Sequence, residues 1–505
     1  MKSPAVRSQV RWNRRSFLKT STLATGTVAF GVPLLLRGQN LNSKVNIACI
    51  GAMGKGKTDT DLCSGENIVA LCDTDADYCA PQRAKYPQAK YFNHYLRMLE
   101  ELGSGIDAVT VSIPDHFHAI AASHAMKMGK HVYCQKPLTQ TIFEARYIRD
   151  LARDPKLVTQ MGNQGSAQEG LRRAVECVQA GIIGQVREVH VWTNRPIWPQ
   201  GIDRPEGEDP VPATLQWDTW LGPAPVRPFK ATKQQNGYGV YLPFNWRGWL
   251  DFGTGALGDM ACHTVNMPFR ALRLGYPSTI EATVSGVKAE TYPLSSTIRF
   301  DFPMRKTEVD AAHKTFFHRH DTLEQAPVTL WWYDGGKPTS DPKAQGGHDG
   351  SNKPPHAVTA EVEAFQGQVP GSGCLLIGDN GTIFSPDDYG EQFYVKLKGD
   401  EKFLHYTKHP VVLAIPKTIP RNPFTGGNDA KHHLEWIDAI KKSDPQLCYS
   451  RFEITAKLTE IMLLGCVALR VGKKIEWDGP NMRAINCPEA AHFIKRDNRA
   501  GWNLA

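Results

Sequence analysis

The sequence predicts an α/β chain: an amino-terminal domain of parallel strands alternating with helices, then an α+β domain whose sheet is mostly antiparallel. Three observations predict it. Between residues 44 and 165, short apolar, β-branched runs alternate with helix-like segments. From Val186 onward, strand-like runs succeed one another without regular helical alternation. The chain has 505 residues, 41% hydrophobic and 22% charged, which suits folded domains and excludes a disordered or multi-span membrane chain. That length accommodates roughly two to four domains with cores of their own.

Charge narrows the function classes. Of 59 Lys and Arg, seven (Lys2, Arg7, Arg11, Arg14, Arg15, Lys19 and Arg37) lie in residues 1–43, which hold no acid, so the remainder balances 52 basic against 51 acidic residues. A body so balanced has no general field for nucleic acid or anionic lipid. The basic start is an address. Asn13-Arg14-Arg15-Ser16-Phe17-Leu18-Lys19 precedes an uncharged stretch, Thr20 to Leu36, the layout of a twin-arginine (Tat) export signal. The expectation is a periplasmic or otherwise extracytoplasmic protein that meets the Tat machinery. Only Arg37-Gly38-Gln39-Asn40 follows, with no A-x-A site, which leaves cleavage or a retained membrane tether open. Eleven cysteines between Cys49 and Cys487 include no C-x-x-C pair and read mostly as buried thiols, consistent with folding in a reducing compartment before export.

The first strand, Lys44–Ile50, runs into Gly51-Ala52-Met53-Gly54-Lys55-Gly56, and a second, Asn67–Cys72, ends at Asp73. Strand, glycine turn, helix, strand and acid in that order form the Rossmann arrangement: the turn admits a pyrophosphate to a helix N-terminus and the carboxylate takes ribose hydroxyls. Met53 replaces the middle glycine of G-x-G-x-x-G. Asp73 favours NAD over a 2′-phosphorylated nucleotide, while Lys55 and Lys57 leave NADP open. A third strand, Asp107–Ile113, delivers Pro114-Asp115-His116-Phe117-His118 to the same edge, where Pro114 and His118 flank the cofactor. H-x-H is a possible metal pair, but no ligand cluster with recognisable spacing joins it, so no metal is expected. After a helix-like run, Ala119–Met128, the strand Gly129–Cys134 brings up Gln135-Lys136-Pro137.

At Gln135-Lys136-Pro137 the chain resembles the Gfo/Idh/MocA family, nicotinamide-dependent oxidoreductases acting largely on sugars and cyclitols. The family motif is Glu-Lys-Pro, and here Gln135 replaces the glutamate. The resemblance implies that Lys136 stands beside the nicotinamide and the reacting hydroxyl. Farther along, Asp259 and His263 in Gly253–His263 lie four residues apart, on one face of a helix-like run from Asp259 through Arg273. A carboxylate so placed orients an imidazole and stabilises its charged form, and related inositol dehydrogenases place such a pair beside the lysine. Lys136, Asp259 and His263 are thus the expected catalytic residues. Gly51, Met53, Gly54, Gly56, Asp73, Pro114, His118, Gln135 and Lys136 are expected at the cofactor.

The likeness extends from about Lys44 to Asp478. By analogy Asn163 faces the substrate. Leu171–Ala180 is amphipathic, and strands are predicted at Val186–Trp192, Thr297–Phe302, Val328–Tyr333, Cys374–Ile377 and Phe393–Leu397. The family's second domain is a large open sheet used for substrate binding and association, which implies a homo-oligomer. In the Trp-rich segment from Pro196 to Gly255, Trp246 and Arg247 are the expected substrate contacts because they lie just before the Asp259 motif. Gly336–Pro355 reads as a flexible excursion. His432, in the helix Asp429–Lys442, is a further substrate candidate. The expected domains are 1–43, the signal; 44–165, the NAD-binding Rossmann domain; 166–480, the substrate and association domain; and 481–505, a tail lying over the body or a neighbour.

An exported enzyme has no pool of nicotinamide to exchange with, so tightly bound NAD and a carbohydrate substrate are expected. The leading reading is a sugar or cyclitol oxidoreductase. A redox-neutral glycosidase or epimerase working through a keto-sugar is the first alternative. A non-catalytic, NAD-containing sugar-binding protein is the second, and an acid/base pair argues against it.

Overall fold

In the computed structural model, residues 44–234, 236–285, 288–308, 322–341 and 343–505 are described, so the export signal expected in residues 1–43 lies outside them. The first sheet is parallel, in the order β3-β2-β1-β4-β5-β6. Its strands are β1 (Asn46–Ile50), β2 (Asn67–Cys72), β3 (Lys90–Phe92), β4 (Ala108–Val111), β5 (His131–Cys134) and β6 (Thr159–Met161). Helices α1 (Lys55–Leu62), α2 (Ala80–Lys85), α3 (Tyr95–Leu102), α4 (Asp115–Lys127) and α5 (Ile142–Leu151) connect them. β1 and β4 are buried on both faces, as central parallel strands must be, and this is why their sequences read as continuous apolar runs. The strand order reverses between β1 and β4, which opens a ligand-binding crevice beyond their carboxyl ends. α5 starts at a capping box: Thr141 Oγ1 accepts from the Glu144 amide and Glu144 Oε2 from the Thr141 amide, at 3.3 and 2.9 Å. That box fixes the far end of the loop that carries Lys136.

Helix α6 (Glu169–Gln179) leads to the second sheet, whose strands in chain order are β7 (Val186–Trp192), β8 (Thr279–Val284), β9 (Ser296–Phe302), β12 (Val328–Asp334), β13 (Gly373–Gly378), β14 (Gly381–Ser385), β15 (Tyr394–Leu397), β16 (Leu404–His405), β17 (Ile475–Asp478) and β18 (Arg483–Ala484); β10 (Arg305–Glu308) and β11 (Thr322–Gln325) form a separate ribbon. The order across the sheet is β16-β15-β14-β13-β7-β12-β9-β8-β17-β18, antiparallel throughout except for β7 beside β12. The predicted strands are all present, within a few residues of their expected ends. Helices α7 (Gly255–Thr264), α8 (Asn266–Ala271), α9 (His356–Gln366), α10 (Asn428–Lys442) and α11 (Phe452–Val471) complete the framework.

One expectation about segmentation is corrected. The run expected to begin at Asp259 begins at Gly255 and is two helices that break at Val265. Elements on either side of residues 165 and 166 share packing. Trp436, Ile437 and Ile440 of α10 join the core formed by Ile47 and Cys49 of β1 and Leu71 of β2. α11 packs against α5 of the first sheet's layer and also against α7 and β8. Gly465 permits this, since a Cβ there would lie 2.5 Å from Leu257 Cδ2 and 2.8 Å from Phe300 Cζ. The tail lies over the body: Arg496 donates to Gln140, Glu144 and the His116 carbonyl, and Trp502 packs on His94 and Phe117. All eleven cysteines are buried free thiols. No helix among the described residues is long and apolar enough to cross a membrane.

Candidate active site

The site is built outward from the glycine turn. Gly51 leaves β1 with φ +77°, and a Cβ on it would lie 2.4 Å from the Ser112 carbonyl oxygen. A Cβ on Gly56 would lie 1.7 Å from the Gly51 carbonyl oxygen, so no other residue lets α1 approach β1 so closely. At Gly54 (φ +60°) a Cβ would meet only Tyr78 Oη, at 3.4 Å. Among the described residues no side chain caps the N-terminus of α1, whose amides and dipole suit a pyrophosphate. Met53 is half-buried against the apolar core below, which accounts for an apolar residue in place of the middle glycine. Asp73 accepts from the Ala52 amide at 3.2 Å and from the Asp75 amide at 3.3 Å, and burial, outweighing these amides, raises its carboxyl to about 6. A rigid glycine cradle, a free helix N-terminus and a carboxylate at the end of β2 fit a dinucleotide.

The catalytic candidates converge, with a changed division of labour. Lys136 Nζ donates to Asp259 Oδ1 at 2.8 Å, and Arg247 Nε donates to the same oxygen at 3.0 Å. Burial alone would raise the Asp259 carboxyl, but these two cations outweigh it and hold the group well below the usual carboxylate range. Asp259 therefore gathers Lys136 and Arg247 rather than orienting His263. The His263 Nδ1 is buried and has no hydrogen-bond partner among the described residues. Burial first, then the Lys136 charge, keep this imidazole far below its ordinary value despite the opposing Asp259 carboxylate. Tyr389 stands edge-on to this ring at 4.9 Å.

Several expected contacts turn out to be braces. His118 places its two ring nitrogens 2.7 Å from the carbonyls of Pro137 and Ile113, tying the Lys136 loop to the end of β4; burial lowers its ring to about 4. Pro114 is the N-cap position of α4. Gln135 turns inward and donates to Asp59 at 2.8 Å. Asn163 is fully buried, its amide donating to the Cys262 carbonyl at 3.3 Å. His432 is fully buried too, with Nδ1 3.0 Å from Tyr133 Oη and 3.2 Å from Gln160 Nε2, which ties α10 to β5. Trp246 is a platform on which the Arg247 guanidinium stacks at 4.3 Å.

Sequence reasoning missed four groups. Asp115 lies in the quoted Pro114–His118 loop; it accepts from Thr254 Oγ1 at 2.6 Å, and burial, with Asp259 nearby, raises its carboxyl to about 7. Arg195, just past β7, acts electrostatically on both Asp259 and His263. Asp388 and Tyr389 come from the loop after β14, and burial raises both. No spacing signal links such loops to a lysine far away in sequence.

With this geometry in place, comparison with known proteins defines the class. Residues 45–163 match the model described as oxidoreductase family, NAD-binding Rossmann fold, and residues 183–281 match the model described as oxidoreductase family, C-terminal alpha/beta domain. Residues 45–163 and 183–281 are thus similar to the NAD-binding and C-terminal domains of the Gfo/Idh/MocA oxidoreductases. It is 28% identical over 151 residues to an inositol 2-dehydrogenase of Salmonella typhimurium, covering 29% of this chain and 44% of that protein. It is 30% identical over 164 residues to a levoglucosan dehydrogenase of Pseudarthrobacter phenanthrenivorans, covering 32% of each. The chain thus spans less than half the length of these curated relatives. An inositol dehydrogenase homolog from Azotobacter vinelandii, solved with NADH and myo-inositol, superimposes with a TM-score of 0.54 at 15% identity, covering 86% of this chain and 98% of that one. At that identity the likeness shows the fold.

Proposed function

We propose that this protein oxidises a hydroxyl of a sugar or cyclitol, using tightly held NAD. The observation that carries the reading is the buried His263 imidazole, with its unpartnered Nδ1, one helical turn from a carboxylate that holds two cations. Bound NAD would supply a hydride acceptor, held by Gly51, Gly54, Gly56 and Asp73. His263 takes the hydroxyl proton, for which a neutral ring is required. Lys136, fixed by Asp259, stabilises the developing alkoxide, and Arg247 adds a second positive charge to the same wall.

Denaturing the purified protein and identifying the released nucleotide tests the cofactor: NAD is expected. A panel of sugars and cyclitols is then scored for reduction of the bound nicotinamide in a single turnover. Lys136→Met should nearly abolish the reduction while leaving the fold intact; normal reduction by that variant refutes the role of Lys136. Product analysis separates net oxidation from a redox-neutral glycosidase or epimerase, which releases an unoxidised sugar. We further propose Tat-dependent export, tested by whether replacing Arg14 and Arg15 with Lys retains the protein in the cytoplasm. Association through the open sheet face that presents Arg299 and Trp331 is proposed as well, tested by the solution mass of Trp331→Glu.

A further inference from the structure

Asp59 lies one turn after Lys55 in α1, is fully buried, and gathers side chains from α1 itself and three other elements. Ser112 Oγ, just past β4, and Gln135 Nε2, just past β5, donate to its Oδ2 at 2.7 and 2.8 Å. Lys55 Nζ and His433 Nε2, from α1 and α10, stand 3.4 and 3.3 Å from its Oδ1. Burial opposes its charge, but His433 and Lys55 outweigh burial and hold the carboxyl at about 2. Gln135 is confined: a Cβ on Gly162 would lie 2.6 Å from its Oε1. A glutamate at 135, the residue of the Glu-Lys-Pro pattern, would bring a second carboxylate within hydrogen-bond distance of Asp59, and two carboxylates so close in a water-free site do not both ionise.

We propose that Asp59 carries the buried negative charge of this edge and is a positioning residue for Lys136, acting through the Gln135 amide, so that residues 59 and 135 are a matched pair of which one alone is a carboxylate. The strand end that Asp59 holds through Gln135 is the point from which Lys136 reaches Asp259. The inference concerns charge placement beneath the nucleotide edge and stands whatever the substrate is.

The test uses the full chain in four forms: unmodified, Gln135→Glu, Asp59→Asn, and both substitutions together. Thermal unfolding is followed from about pH 5 to pH 9, alongside acylation of Lys136 by an amine reagent, quantified by mass spectrometry. Q135E should unfold several degrees earlier at high pH and recover as the pH falls and the pair shares a proton, while Lys136 labelling rises several-fold. The double variant, which preserves side-chain sizes and returns the pair to one charge, should restore both readouts and remove the pH dependence. Q135E with unchanged unfolding and labelling overturns the proposal, as does a double variant whose losses are the sum of the two singles. If Q135E does not fold alone, D59N is compared with the double variant: the double is expected to be the more stable, and the reverse order refutes the pairing. Failure to oxidise any sugar leaves these outcomes untouched.

Discussion

Replacing Asp259 with Asn probes the centre of the site. One oxygen of this carboxylate holds two cations, at 2.8 and 3.0 Å, and the side chains of Lys136, Arg247 and Asp259 are 14%, 18% and 9% exposed. At an effective dielectric of about 20, each contact at about 3 Å is worth roughly 5–6 kcal/mol before desolvation. Measured losses on stripping one partner from a buried pair are about 3–5 kcal/mol, and that is the destabilisation expected, read as a fall of several degrees in Tm. The sign with pH follows from the depressed carboxyl of Asp259. Its contribution is fully present above the unfolded carboxylate value of about 4 and is lost as the pH falls through the folded value. The stability gap between the unmodified protein and D259N should therefore be constant near neutrality and narrow in acid. Adding Lys136→Met to D259N should cost less than the two single losses combined, because they share one contact. Equal stability at neutral pH, or a gap that widens on acidification, refutes the reasoning.

Gly56→Ala would place a methyl group 1.7 Å from the Gly51 carbonyl oxygen; a loss of roughly 1–3 kcal/mol and of NADH binding is expected, by thermal unfolding and fluorescence titration. Asp115, raised to about 7 by burial, binds a proton more tightly when folded than when unfolded. Stability should fall as the pH rises from about 4 to about 7, and Asp115→Asn should flatten that slope. Arg496→Ala removes hydrogen bonds to Gln140, Glu144 and the His116 carbonyl, with an expected loss of roughly 1.5–3 kcal/mol and faster amide exchange in α4 and α5.

The parts of the site legible in the sequence are those whose chemistry is local. Gly51 to Gly56 between two apolar runs, and Asp73 at the end of the second, report their roles through neighbours along the chain. Lys136 and Asp259 were recognisable from motif context. What Asp259 does was not, because its partners Lys136 and Arg247 arrive from other elements and four-residue spacing to His263 says only that the two share a helix face. The burial of Asn163 and His432 was not legible for a related reason: polar residues at motif ends look available, and only packing reveals what surrounds them. Asp59 and Arg195 gave no signal, since an acid in a helix and an arginine after a strand are ordinary until the fold surrounds them.

The position of α11 has a consequence for how the molecule comes into being. A ribosome emits the nucleotide-binding strands some three hundred residues before Phe452–Val471, yet that helix packs against α5, and Arg496 and Trp502 cover α4 later still. Until translation reaches them, the apolar residues of α4 and α5 that these elements cover stay open. A chain truncated before α11 should therefore be cleaved by protease more readily than the full chain.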